Sequence, residues 1–86
     1  MKKDEYYMII IDSAFKHGIS EKEIEHVFEN AISSISLDEF PPKIMLFGFD
    51  TKGQALEIGY FINDNGDEII MHAMKLRKSY QKYMLL

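Results

Sequence analysis

Two turn signatures, set a strand's length apart, restrict this chain more than anything else in it. Asp50-Thr51-Lys52-Gly53 and Asn63-Asp64-Asn65-Gly66 flank an apolar segment at residues 54–62. Further apolar segments lie on their outer sides, at 43–49 and 68–74. Short turns between successive strands leave only antiparallel pairing, because a parallel return needs a crossover of about a dozen residues or more. The Asn65-Gly66 pair also suits a hairpin. The expected centre of the fold is therefore a meander over residues 43–74. In its middle strand Leu56, Ile58, Tyr60 and Ile62 alternate onto one face, and Ala55, Glu57, Gly59 and Phe61 onto the other. The second set is less apolar, so the expectation is one face packed on helices and one partly open.

The surrounding segments supply the helices. Ser20 and Glu23 form an S-x-x-E capping box, and Ile19 before it can staple onto Ile24. Ile24, Val27, Phe28, Ala31 and Ile32 then recur at helical spacing, with Glu21, Lys22, Glu25 and Glu29 outside. A helix over residues 21–32 follows. Upstream, Tyr6-Tyr7-Met8-Ile9-Ile10-Ile11 favours a short strand, with a helix over 4–16 as the rival reading. Asp12 can cap a short helix through Lys16 that Gly18 ends. A short strand is expected at 34–37 and a loop at 38–42, marked by Pro41-Pro42. From Leu76 a last helix puts Leu76, Tyr80, Tyr83 and Met84 on one side. The fold class expected is α+β: an antiparallel β-meander packed against N-terminal helices, with a C-terminal helix. The 86 residues make one domain.

Charge is distributed unevenly. The net charge is −4, and all 14 acidic residues lie at or before Glu68. After it come Lys75, Arg77, Lys78 and Lys82 with no acid among them, so an acidic body carries a basic tail. Cations also suit a helix C-terminus, which explains part of the asymmetry. The chain has no cysteine, as expected for a reducing cytoplasm. No apolar run approaches a membrane span, and Asp12 interrupts the first one too early for a signal peptide. A soluble cytoplasmic protein without membrane partners is expected. His17, His26 and His72 are too scattered for a local metal motif, and residues 63–68 lack the first acid of a calcium loop. Phosphate-binding glycine loops and nucleophile motifs are absent, so neither metal nor cofactor is expected.

One constellation carries chemistry. His72 stands near the end of the last strand, followed by Lys75, Arg77 and Tyr80. RNA cleavage without a metal needs a group to take the 2′-hydroxyl proton, charge to hold the phosphate and a group to protonate the leaving oxygen. Imidazole, guanidinium and phenol meet those needs. The plainer alternative makes His72 a half-buried strand residue, Tyr80 core, and the cations a solvated face. His26 reads as a surface or boundary residue, and His17 is as well explained by a helix end as by catalysis.

Two stretches bear on this choice. Lys16-His17-Gly18-Ile19-Ser20 with Glu23-Ile24 resembles the K-H-G-[IV]-S/T opening of BrnT-type toxins. Leu46-Phe47-Gly48, Asp50, Gly53 and Leu56-Glu57-Ile58, followed by Ile70-Met71-His72-Ala73-Met74-Lys75-Leu76-Arg77, is similar to the rest of that family's pattern. The likeness spans roughly Lys16 to Tyr80. It implies a RelE-like ribonuclease toxin fold, metal-independent RNA cleavage that inhibits translation, and a cognate antitoxin as partner. Matched by position, the polar segment of the family's last strand falls on His72, Lys75 and Arg77, and its K-H-G on Lys16, His17 and Gly18. The expected site is thus catalytic His72, Arg77, Lys75 and Tyr80, with Lys75, Arg77, Lys78 and Lys82 binding RNA and Lys16 and His17 as further members. The RNA is free or ribosome-associated. Met1, Met8, Met45, Met71, Met74 and Met84 offer adaptable apolar surface, so an exposed patch for an antitoxin or a second copy is expected on the open sheet face or the last helix. Arg77→Ala is expected to abolish activity and leave the fold intact. A non-catalytic protein-binding or regulatory module of the same fold stays open, as does a small-ligand or structural module.

Overall fold

The computed structural model describes residues 8–85. Tyr6 and Tyr7 of the expected first strand, the start of its rival helix and Met1 lie outside the described residues. What is described is a small α+β domain on a five-stranded mixed sheet. Its strands are β1 (Met8–Ile10), β2 (Ser33–Glu39), β3 (Pro42–Phe49), β4 (Ala55–Ile62) and β5 (Glu68–Lys75), in the spatial order β1-β5-β4-β3-β2. β2 to β5 form an antiparallel meander, as the turn spacing requires. β1 joins β5 in parallel, with Ile9 opposite Ile69. The chain leaves β1 into helical segments and not into a hairpin, so no short turn forces the antiparallel direction there.

The helix α1 (Glu21–Glu29) is three residues shorter than its apolar spacing suggests. The chain turns at Asn30, and Ile32 is already bonded to β3 through Ile32 N–H to the Phe47 carbonyl, 2.8 Å. β3 approaches closely here: a Cβ on Gly48 would stand 3.1 Å from Val27 Cγ1 and 3.3 Å from Ala31 Cα. Ser20 caps the helix, accepting from Glu23 N–H at 3.4 Å. The reciprocal half of the capping box is not made. The Glu23 carboxylate instead accepts from Thr51 N–H at 2.8 Å and Thr51 Oγ1 at 2.6 Å, tying α1 to the β3–β4 turn. Those bonds from the Thr51 hydroxyl and amide hold the Glu23 carboxyl below its ordinary pKa. Asp50 Oδ1 accepts from Lys52 and Gln54 N–H, closing the same turn.

The two other helical segments are 3-10 helices. The first, Asp12–Phe15, begins with Asp12 inside it; Ile11 is at the cap position and no side chain caps it. The second, Lys78–Met84, takes the place of the expected α-helix. Its three-residue period aligns Tyr80 with Tyr83, and both pack on Phe47 with ring centroids 5.4 and 5.3 Å away. The loop expected at 38–42 shrinks to Phe40 and Pro41, because Asp38 and Glu39 pair with Lys43 and Pro42.

The apolar core lies between the sheet and α1. Ala14, Ile24, Val27, Leu56, Ile58, Ile70 and Ala73 are fully buried there. Phe28 meets Tyr60 edge to face at 5.2 Å on its margin. The opposite sheet face, expected to be partly open, is covered at one end by the second 3-10 helix over Phe47 and by Arg77 and His72 over Glu57, and both residues are 0% exposed.

Candidate active site at the end of the last strand

A β-bulge positions the site. Phe61 pairs with Ile69 and Tyr60 with Ile70, but Gly59 pairs with His72, so Met71 is an extra residue. Strict alternation would put His72 on the same face as Ile70, in the apolar core. The bulge returns Ala73 to that core, opposite Ile58, and sends His72 to the other face beside Glu57. The Met71 carbonyl accepts from Ser13 Oγ at 2.7 Å, which anchors the bulge to the first 3-10 helix.

Glu57 is the centre of the resulting cluster. Its Oε1 accepts from the Arg77 backbone N–H at 2.9 Å. Its Oε2 accepts from Arg77 Nε at 2.9 Å and Nη2 at 2.6 Å, and lies 2.8 Å from His72 Nε2. Burial pushes the Glu57 carboxyl up, but the Arg77 side-chain and backbone bonds, the His72 bond and the Arg77 charge together hold it below the ordinary carboxylate range. The same Glu57 bond and charge raise Arg77, against the opposing effect of its burial. The Arg77 side chain remains 48% exposed and that of His72 26%. Two of the five guanidinium donors serve Glu57, so the rest remain for a ligand. Arg77 Cζ sits 5.1 Å from the Tyr80 ring centroid, a cation–π contact.

The fold also brings His17 to this edge. It is exposed, just before Gly18 (φ 82°), and its ring meets that of His72 edge-on at 5.9 Å. His72, Arg77, Tyr80 and His17 are thus brought together. Lys75 is not: it pairs with Leu56, so alternation directs it to the opposite face from Glu57. Lys16 is exposed at the end of the first 3-10 helix, and Lys78 is exposed at the start of the second. Lys82 Nζ stands 5.4 Å over the Tyr83 ring, further along. Arg77→Ala would strip the buried Glu57 of its guanidinium partner, so a stability cost is expected beside any effect on activity.

Glu57 was missed in the sequence, where it read as an outward polar residue of a half-open face. The signal was a carboxylate inside an apolar strand with an imidazole and a guanidinium on the next. Among the described residues no group of three or more His, Asp or Glu side chains is placed to hold a metal ion, and no helix is long and apolar enough to cross a membrane.

Depressions lie elsewhere among the described residues. Gly18, Ile19, Ser20, Glu23, Asp50, Lys52 and Gln54 line a cleft of about 210 Å³, whose carboxylates are already engaged by turn donors. Phe40, 88% exposed, stands with Pro41, Pro42, Phe61 and Ile62 around a shallow groove of about 610 Å³. This apolar surface is not on the last helix, where Tyr80, Tyr83 and Met84 are half-buried; its Phe61 stands on the same face of β4 as Glu57, four residues along the strand. No family model, no curated protein and no solved structure matches this chain.

Proposed function

We propose that the chain is a metal-independent endoribonuclease of the BrnT toxin type, with a RelE-like fold, working in the cytoplasm to block translation by cleaving RNA. One observation carries the reading: an imidazole and a guanidinium, both partly open to solvent, are fixed on one buried carboxylate at the end of β5. Arg77 holds the scissile phosphate through its unused donors. His72 takes the 2′-hydroxyl proton as the 2′ oxygen attacks phosphorus. His17 protonates the departing 5′ oxygen, and Tyr80 steadies Arg77. Lys78 and Lys82 add long-range attraction for the RNA backbone, which the acidic remainder of the chain repels. Lys16 does the same beside His17. Lys75, on the other face, contributes charge at most. An antitoxin encoded beside the toxin is the proposed partner, and the apolar groove at Phe40 supports such an association, as it does association with a second copy.

The test is cleavage of a mixed-sequence RNA by the purified chain in excess chelator. Fragments with 2′,3′-cyclic phosphate and 5′-hydroxyl ends are expected. His72→Ala and Arg77→Lys should each lower the rate by about 10²-fold, the cost of losing a proton-transfer group or a fitted charge clamp. In cells, matched expression should arrest growth with the wild type and not with these variants, and the neighbouring gene's product should relieve the arrest. Full cleavage by both variants overturns the reading. A second reading, a non-catalytic partner-binding module, is favoured by the zero exposure of Glu57 and its four bonds, which suit a structural clasp as well as a catalytic one. Complete absence of cleavage would select it.

A further inference from the structure

Glu57 is out of reach of any substrate: it is 0% exposed and its two oxygens already face four donor groups. Its importance lies in what it does to its neighbours. Held ionised by the hydrogen bonds of Arg77, it can only accept. The 2.8 Å contact therefore requires His72 Nε2 to be the donor. When the ring is neutral, Nδ1 is then its one basic nitrogen. Gly59 stands opposite His72, where a Cβ would lie 3.2 Å from His72 Cβ, a tight approach, and 3.7 Å from Cδ2, an ordinary contact, so a side chain at position 59 would press on the base of the His72 side chain. On the other side, Arg77 is gripped through its backbone N–H and its Nε edge, which sets both the guanidinium plane and the first residue before the second 3-10 helix.

We propose that Glu57 is the positioning residue of the site: it locks His72 as the Nε2–H tautomer, makes Nδ1 the atom that exchanges the proton with substrate, and turns the free edge of Arg77 toward the same phosphate. This rests on the RNA-cleavage reading above. The 2′-hydroxyl proton goes to Nδ1 as the 2′ oxygen–phosphorus bond forms. The bond from phosphorus to the 5′ oxygen breaks with its electron pair on that oxygen, which takes a proton from His17. Around His72 stand Glu57 from β4, Arg77, which shares the Glu57 Oε2 atom with it, and His17 from the segment after the first 3-10 helix, with Tyr80 against Arg77.

The experiment is nitrogen-15 NMR of the histidine rings in the full chain, at a pH where His72 is neutral, alongside RNA-cleavage kinetics. The wild type should show His72 protonated at Nε2 alone. Glu57→Gln should give a mixture of tautomers and lower kcat by about 10²-fold with little change in KM, as loss of an orienting partner does. Glu57→Asp should recover part of the rate. An Nδ1–H tautomer in the wild type, or a folded Glu57→Gln protein with unchanged tautomer and kcat, overturns the proposal. If the variant does not fold, the wild-type spectrum decides. If the chain cleaves no RNA, the spectrum still reports the tautomer, so failure of the lock and failure of the ribonuclease reading are told apart.

Discussion

The two faces of the sheet solve opposite problems with neighbouring residues of the same strands. On the α1 side, Leu56 and Ile58 meet Ile24, Val27, Ile70 and Ala73 in a core without a charge. One residue away, Glu57 points to the other side and is just as inaccessible, yet it is held by hydrogen bonds and an ion pair. The first face is stabilised by apolar area, which tolerates small adjustments and has no preferred direction. The second depends on donors aimed at two oxygens, and removing one leaves a buried acceptor short of a partner. Burial alone therefore says little about role. The identity of the buried atom, and what it requires of its neighbours, separates scaffold from candidate site.

Three measurements would sharpen or break this contrast. The largest effect should come from the apolar face: Ile58→Ala should cost about 2–5 kcal/mol in denaturant unfolding, the range for a large-to-small change in a packed core. It should leave the tautomer of the uncharged His72 ring unchanged, and a shifted tautomer would mean that the faces are coupled. Next, Arg77→Ala should cost about 1–3 kcal/mol. That is less than breaking a wholly buried pair, because the guanidinium is half exposed and screened, and because the backbone N–H and His72 still serve Glu57. An unchanged midpoint would show that Glu57 does not need its partner. The smallest effect concerns pH. The Glu57 carboxyl is lowered in the folded state, so its contribution is present above the ordinary carboxylate pKa and is lost as pH falls through the folded value. Stability should decline on the acid side, and Glu57→Gln should flatten that decline. An acid limb equally steep in the variant would assign it to other carboxylates, Glu23 first, whose shift has the same sign.

Much of the scaffold was legible because local chemistry and global fold agree there. The Asp50–Gly53 and Asn63–Gly66 turns, the alternation of Leu56, Ile58 and Tyr60, and the Ser20 cap are each written in a few adjacent residues. What was not legible depends on contacts between distant parts of the chain. β1 is parallel because of where it docks, and three apolar residues do not encode a direction. The last segment has helical spacing but takes 3-10 form, with Tyr80 and Tyr83 both bearing on Phe47. Ala31 and Ile32 continue the helical pattern of α1, yet the pairing of Ile32 with β3 ends the helix first. The site was half visible for the same reason. His72 and Arg77 were identifiable as chemistry near a strand end, and Glu57 was hidden because alternation gave its face but not its cover. Lys75 is near His72 in sequence, yet the register places it on the other side of the sheet.

Met71 has a consequence beyond geometry. It divides β5 into two reading frames, one ending at Ile70 and one starting at His72, each with its own inside and outside. Loss of that single codon would make His72 follow Ile70 directly, and plain alternation would still turn the imidazole outward and Ala73 inward, without the bulge or the bond from Ser13 to the Met71 carbonyl. A strand that can take up or shed one residue in a bulge keeps its facing on either side of it, so length can vary here while the candidate site stays assembled.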